Sequence, residues 1–119
     1  MSELEDKARR CLPLTEATFY ILVSLVEPRH GYGIMQNVAD LSGNHVKLGP
    51  GTLYGALTNL VKQGMIARAG EQELEGERRK IYALTKLGIA VVRLEGERLG
   101  ALARIGREAA AKLKNAREI

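Results

Sequence analysis

The stretch KLGPGTLYGALTNLVKQGMI, residues 47–66, decides how the rest of the chain is interpreted. Apolar residues recur in it every three or four positions, which is the spacing of one buried face of an α-helix. Pro50 stands in what would be the first helical turn, where its missing amide hydrogen has no partner to lose. Gly64 stands where a left-handed C-cap would end the helix. We therefore expect a helix from Pro50 to Gln63.

This predicted helix has two different faces. At about 100° per residue, its apolar side chains fall on one side: Leu53, Leu57, Leu60 and Val61. The opposite side carries small residues, then polar ones, then a cation: Gly51, Gly55, Thr58, Asn59 and Lys62. The first side predicts burial against neighbouring helices. The second is typical of a helix that approaches DNA closely and offers hydrogen-bonding groups to it, with Tyr54 on the flank.

Two helices are expected before this one. Thr15 has the residue type of an N-cap, and an apolar run follows it until Pro28 ends the first helix. A polar turn at residues 29–31 leads into the second helix, which the spacing of apolar residues places from Tyr32 to about Leu41. The charged N-terminal residues are interpreted only as a lead-in.

Two short strands and one long helix are expected after it. Residues 65–67 and residues 78–84 predict a β-hairpin. Its connecting loop, residues 70–77, is longer than the tightest hairpin turns. Thr85 can cap a final helix, which continues without proline to about Ala116.

The order of these elements is that of a winged helix-turn-helix followed by a long C-terminal helix. We expect a mainly α fold with a small β-hairpin wing, with residues 1–84 as a DNA-binding domain and residues 85–119 as a dimerisation helix. An apolar stripe follows the final helix: Leu87, Val91, Leu94, Leu99, Leu102, Ile105, Ala109 and Leu113. So small a domain cannot bury a stripe of that length, so a second copy of the chain is the expected partner. A membrane surface is the weaker alternative, because glutamates are interleaved with the basic residues of this helix.

The composition agrees with a polyanionic partner. The chain has 119 residues, a formal net charge of +4 and a pI near 9.4. Residues 47–70 carry three basic side chains and no acidic one. A single cysteine, Cys11, excludes an intrachain disulfide, and no apolar run approaches the roughly 18 residues that cross a bilayer. We expect a cytoplasmic protein without a cofactor or a membrane partner.

Catalytic and metal chemistry are not expected. His30 and His45 have no carboxylate or cysteine at ligand spacing, so each is interpreted as a turn or surface residue. No set of acid, base and nucleophile converges in the sequence. The glycine-rich residues 49–52 are not interpreted as a nucleotide-binding loop, because the lysine of such a loop is missing and no strand of a βαβ unit precedes them.

Several separated motifs resemble those of the PadR-type transcriptional regulators. The first consists of eight residues: Pro50, Thr52, Leu53, Tyr54, Leu57, Leu60, Gly64 and Ile66. Residues 30–34, HGYGI, and residues 79–85, RKIYALT, match the family pattern too, so that the resemblance covers about residues 14–88. It implies a homodimer, usually a repressor, that dimerises through its C-terminal helix and in some members responds to small molecules. It also implies DNA contacts at four positions: Tyr32, Thr52, Tyr54 and Thr58. For residues 78–80 it implies a role in the wing.

Residue pattern and resemblance together give one set of expected DNA contacts: Tyr32, Lys47, Gly51, Thr52, Tyr54, Gly55, Thr58, Asn59, Lys62, Arg78, Arg79 and Lys80. The expected partners are an operator in double-stranded DNA, a second copy of the chain and a small-molecule effector. Two alternatives remain open. The wing cations could pair with the glutamates of the wing loop, or the fold could be a protein interaction module that meets an acidic protein instead of DNA.

Overall fold

The computed structural model describes residues 2–117. Five helices and three strands make up this part of the chain: α1 (Glu3–Arg10), α2 (Glu16–Ser24), β1 (Arg29–His30), α3 (Gly31–Leu41), α4 (Pro50–Lys62), β2 (Ile66–Leu74), β3 (Glu77–Leu84) and α5 (Lys86–Arg117). The strands form one antiparallel sheet in the order β1-β3-β2. Helices α2, α3 and α4 share an apolar core with the start of α5, and Ile66 and Tyr82 of the sheet reach into it. The expected mainly α winged-helix fold with a long C-terminal helix is confirmed.

Helix α1 was not expected, because the sequence interpretation treated it as a charged lead-in. Ser2 caps it by accepting a hydrogen bond from the Glu5 amide at 3.1 Å. Ala8 is its buried residue, and Glu5 pairs with Arg93 of α5 at 3.3 Å. A helix with so narrow an apolar contact leaves almost no periodic signal in the sequence.

The segment between α2 and α3 also differs from the expectation. Thr15 caps α2 as predicted, but the helix ends at Ser24 and not at Pro28. Residues 29–30, expected as part of a turn, form β1 and pair with β3. Arg29 Nε donates to the Ser24 carbonyl at 2.7 Å, which ties the strand to the end of α2. The sheet of the described chain therefore has three strands instead of two.

The wing is longer and more tightly turned than expected. Strands β2 and β3 join through a two-residue turn, Glu75-Gly76, with positive φ values of 51° and 80°. This is the type I′ geometry, whose twist matches that of the strands it connects. The prediction of a long loop over residues 70–77 is thus wrong. Gly70, at a φ of 110°, lies at a bulge in β2 that interrupts the alternating pattern.

Close backbone packing fixes the start of α5. Thr85 caps the helix as predicted: its Oγ1 accepts from the Gly88 amide at 3.1 Å and donates to the Gly64 carbonyl. The Thr85 amide donates to the Met65 carbonyl at 3.0 Å. A Cβ on Gly88 would overlap that same carbonyl oxygen, so glycine is required at this position.

The apolar stripe of α5 divides into two parts. Leu87, Val91 and Leu94 are only 6%, 0% and 4% exposed, because helices α1 and α2 of the same chain pack against this part of α5. Their assignment to an interface between copies is therefore wrong. The rest of the stripe is exposed: Leu99, Leu102, Ile105, Ala109 and Leu113.

Candidate nucleic-acid interface

Helix α4 separates its side chains largely as the sequence predicts. Leu53, Leu57 and Leu60 are buried, while Val61, expected among them, lies at the edge of the core and is 41% exposed. The α4 residues expected to contact DNA are all exposed: Gly51, Thr52, Tyr54, Gly55, Thr58, Asn59 and Lys62. At the end of the helix the Met65 amide donates to the Leu60 carbonyl at 3.1 Å, in the hydrogen-bond pattern of a Schellman motif.

The exposed face of α4 is shallow in its first half. A Cβ added at Gly51 or Gly55 would meet no atom of the described residues within 4 Å. These glycines therefore lower the outer surface of the helix and make no room for an internal neighbour. Thr58 Oγ1 donates to the Tyr54 carbonyl at 2.9 Å, so its hydroxyl proton is used internally. Its two oxygen lone pairs and its methyl group are what Thr58 can offer to a base edge.

The Tyr54 side chain extends from the flank of α4, and its ring lies over the start of α3. A Cβ on Gly31 would come within 2.5 Å of the Tyr54 hydroxyl oxygen and 2.8 Å of its Cζ, so the ring rests on the Gly31 backbone. The ring is still 45% exposed. This contact joins the two helices of the helix-turn-helix, and the sequence interpretation did not include Gly31 in the site.

A second exposed tyrosine, Tyr32, lies at the start of α3 beside the wing. Its ring stacks on His30, with the ring centroids 6.4 Å apart and 13° between the planes. The guanidinium carbon of Arg79, on β3, lies 5.9 Å from the centre of the Tyr32 ring. Gln36 Nε2 donates to the Tyr32 hydroxyl at 3.1 Å. Residues of β1, α3 and β3 thus hold one exposed aromatic side chain.

His30 is the N-cap of α3, since its Nδ1 accepts from the Gly33 amide at 3.0 Å. Burial, and next the positive charge of Arg79, lower the pKa of His30 from its ordinary value of 6.5. The geometry agrees, because a ring nitrogen that accepts a hydrogen bond carries no proton. The sequence interpretation missed this cap. The signal for it was the position of His30 directly before a helical apolar spacing.

The wing cations are partly neutralised by glutamates, as one alternative interpretation of the sequence had it. Arg78 pairs with Glu71 at 3.3 Å, and Arg79 lies 3.8 Å from Glu77. Lys80 is exposed and has no carboxylate within 4.0 Å among residues 2–117. Exposed ion pairs of this kind contribute about 0 to 1 kcal/mol, so a phosphate can replace the glutamates at small cost.

A pocket of about 300 Å³ joins the helix-turn-helix to the wing. Its walls come from α3, α4 and β3: Gly31, Tyr54, Glu77, Arg78, Arg79, Lys80 and Tyr82. The structure therefore brings Tyr54 and the predicted wing cations to one surface, with Tyr32 attached to it through Arg79. Thr58, Asn59 and Lys62 continue the exposed face along α4, and Lys47 is exposed just before that helix.

Residues 2–117 contain no group of three or more His, Cys, Asp or Glu side chains that could hold a metal ion. No helix in this described range is long and apolar enough to cross a membrane.

Known proteins share both sequence and fold with this chain. The model of the Transcriptional regulator PadR-like family matches residues 20–94. No curated protein matches the sequence. Among solved structures, a PadR family transcription regulator from Clostridium difficile has a TM-score of 0.68 at 20% identity, over 81% of this chain and 99% of that one.

Two further solved structures share the fold. RosR from H. salinarum has a TM-score of 0.60 at 27% identity, over 85% of this chain and 98% of that one. Bacillus subtilis PadR, solved in complex with operator DNA, has a TM-score of 0.59 at 22% identity, over 68% of this chain and 46% of that one. The resemblance inferred from the sequence motifs is confirmed, since the family model covers more than half of the residues. The chain belongs to the PadR-like family of transcriptional regulators.

Proposed function

We propose that the protein binds double-stranded DNA sequence-specifically through α4 and the wing, and that it represses transcription as a homodimer on a near-palindromic operator. The observation that supports this most is the exposed face of α4, with its shallow start, its polar middle and Lys62 at the end. A helix enters the major groove, about 12 Å wide, only where its side chains leave room for close approach. The relative from Bacillus subtilis, which shares this fold, was solved on operator DNA.

The exposed residues fall into two groups: readers, which would contact base edges, and anchors, which would contact phosphates. We assign base-edge contacts to Thr58 and Asn59 in the middle of α4, with the hydroxyl of Tyr54 beside them, and a phosphate contact to the hydroxyl of Tyr32. Gly49, which has no side chain, is the N-cap of α4, so the amides of Gly51 and Thr52 are suited to a phosphate at the positive end of the helix dipole. The remaining anchors are cations that neutralise phosphates: Lys47, Lys62, Arg78 and Lys80.

Fluorescence anisotropy with DNA from the promoter of the protein's own gene tests the proposal. We expect binding at low salt that weakens steeply as salt rises, with each lost phosphate contact reducing the slope of log K against log salt by about 0.9. Lys62→Ala should weaken binding and reduce this slope, and Thr58→Ala should weaken binding alone, both without change in the melting temperature. Lys112→Ala, on the exposed C-terminal part of α5, is the matched control and should bind as the wild type does. Absence of binding at low salt would overturn the proposal and favour a protein interaction module.

The exposed part of the α5 stripe supports the homodimer. Four large apolar side chains lie on one side of the helix with 37% to 63% of their surface exposed: Leu99, Leu102, Ile105 and Leu113. Pairing with the same stripe of a second copy would bury them and would relate the two α4 helices by a two-fold axis. Two half-sites one turn of DNA apart, roughly 34 to 36 Å, are the operator geometry that such a dimer requires.

The proposal also includes release by a small-molecule effector. An apolar pocket of about 400 Å³ lies between α2 and α5, and Leu99 of the stripe forms part of its wall beside Phe19 and Tyr20. This volume is within the range of ligand pockets, roughly 300 to 1,000 Å³. Binding of anilinonaphthalene sulfonate, an anionic dye whose aromatic rings bind apolar surfaces, to the folded protein, and its loss in Phe19→Gln, would support an accessible pocket here. Dye binding that is unchanged by this substitution would place any effector elsewhere.

A further inference from the structure

Arg79 differs from the two other cations of the wing segment. Its side chain is 33% exposed, compared with 79% for Arg78. Its Nε is buried and has no hydrogen-bond partner within residues 2–117. The guanidinium carbon lies 5.9 Å from the centre of the Tyr32 ring, and Arg79 Nη2 lies 3.8 Å from a carboxylate oxygen of Glu77. A cation that serves mainly to meet a phosphate keeps its donors accessible, as Lys80 does.

Tyr32, whose ring contacts Arg79, is an exposed side chain that neighbouring residues already hold in place. Tyr32 is 49% exposed, yet its ring is stacked on His30 and its hydroxyl accepts from Gln36. A tyrosine hydroxyl that accepts one hydrogen bond still has its own proton to donate, and a phosphate oxygen is a suitable acceptor. An exposed side chain that is already ordered loses less conformational entropy when it binds.

We infer that Arg79 is a positioning residue for DNA binding: it fixes the Tyr32 ring so that the hydroxyl donates to the DNA backbone, and it does not itself carry a phosphate. This inference rests on the proposed function and assigns a role within it. The wing strand β3 then contributes to recognition in two ways. Lys80 acts by charge, and Arg79 acts through a residue of α3.

A double-mutant cycle separates these two ways of acting. Operator binding is measured by anisotropy for Tyr32→Leu, Arg79→Gln and the double variant, and in parallel for Lys80→Ala with and without Tyr32→Leu. We expect Arg79→Gln to weaken binding about two- to fivefold, the range for a partly exposed cation–π contact. It should have no further effect once Tyr32 is Leu. Lys80→Ala should weaken binding equally in both backgrounds, and it should also reduce the salt slope by about 0.9.

A measurement on the free protein completes the test. The nuclear Overhauser effects between the rings of Tyr32 and His30 are expected in the wild type and should be lost in Arg79→Gln. Additive losses of affinity in the cycle, or ring contacts that persist in Arg79→Gln, would overturn the inference alone. Failure of the wild type to bind operator DNA would instead overturn the proposed function.

Discussion

Gly31 and Tyr54 lie so close together that a Cβ at position 31 would come within 2.5 Å of the Tyr54 hydroxyl oxygen. The two residues belong to α3 and α4, so the tyrosine ring lies in the contact between these two helices. The same ring borders the pocket that leads to the wing. The absence of a side chain at this glycine therefore leaves room for an exposed aromatic side chain of the proposed DNA-binding surface.

Gly31→Ala should displace the Tyr54 ring and lower operator affinity about tenfold, which corresponds to about 1.4 kcal/mol. Stability should change less than affinity, because the added methyl group meets the far end of a side chain that can move. Gly33→Ala is the control on the same helix, since its Cβ would lie 3.4 Å from the nearest atom, His30 Cε1. Anisotropy and thermal unfolding of both variants check this. Wild-type affinity in Gly31→Ala would show that binding does not depend on the Tyr54 position.

Gly88→Ala should destabilise the protein strongly, because the obstacle is the Met65 backbone carbonyl and not a flexible side chain. Overpacking of a well-packed core costs about 1 to 3 kcal/mol, and an immovable backbone atom favours the upper end of that range or more. Gly100→Ala on the same helix meets no atom of the described residues within 4 Å, and should stabilise by about 1 kcal/mol through helix propensity. Urea unfolding should therefore move the two midpoints in opposite directions. A shift in the same direction for both would contradict this packing.

Local signals explain what the sequence predicted well. Helix α4 has leucines at helical spacing, a proline in its first turn and Gly64 at its end, where the structure has a φ of 80°. Each of these features favours or ends a helix through contacts between residues that are close in the sequence. The division of α4 into a buried and an exposed face followed from the same spacing, and that face supplies most of the candidate site.

Contacts between distant segments explain what the sequence could not predict. Strand β1 has two residues, and it exists because β3 pairs with it. The contact of Arg79 with Tyr32 depends on that pairing, since the strand brings the start of α3 against the wing. Val91 is likewise buried in a core to which Ala8 of α1 also belongs, and α1 leaves little periodic signal. In each case a tertiary contact, and not a local propensity, decides the structure.

The stability of the protein should decrease as the pH falls below about 6.5, because His30 has a lowered pKa in the folded state. As the pH falls, His30 is protonated in the unfolded chain before it is protonated in the folded protein. Acidification therefore favours unfolding from about pH 6.5 down through the lowered pKa of folded His30. Burial and the positive charge of Arg79 both add to the cost of protonating His30 in the folded state. His30→Asn keeps an N-cap and removes the titration. Urea unfolding from pH 8 to pH 5 should give a steeper loss for the wild type than for this variant, and parallel curves would contradict the assignment.

A second pH effect is expected from Glu95, which is 1% exposed. Its carboxylate accepts hydrogen bonds from the Arg98 side chain and, at 2.8 Å, from the Leu14 amide. The bond from Arg98 has the largest effect and lowers the pKa of Glu95, and the Leu14 bond lowers it further, whereas burial acts in the opposite direction. The stabilisation is therefore present above about 4.5 and is lost as the pH falls through the lower folded pKa. Glu95→Gln should be less stable than the wild type at pH 7 by roughly 1.5 to 3 kcal/mol, the range for hydrogen bonds to charged groups.

Chemical unfolding at several pH values checks this second effect. The difference between Glu95→Gln and the wild type should shrink as the pH falls from about 4.5 through the lowered pKa of folded Glu95, because the carboxylate is protonated first in the unfolded chain and then in the folded protein. Glu97→Gln is the control, because that glutamate forms an exposed pair with Arg93 at 3.5 Å and should contribute little. A difference that does not depend on pH would indicate that Glu95 acts through packing and not through its charge.

Leu102→Glu should separate the proposed homodimer into monomers while leaving each protomer folded. Leu102 is 50% exposed in the single chain, so the substitution costs the protomer almost nothing, whereas an unpaired charge buried between two α5 helices is expensive. Ala111→Glu introduces the same charge on the opposite side of the helix and should leave the dimer intact. Sedimentation velocity at several concentrations measures the outcome, and circular dichroism verifies that the helices persist. A Leu102→Glu variant that remains a dimer would require the second copy to bind elsewhere on the chain.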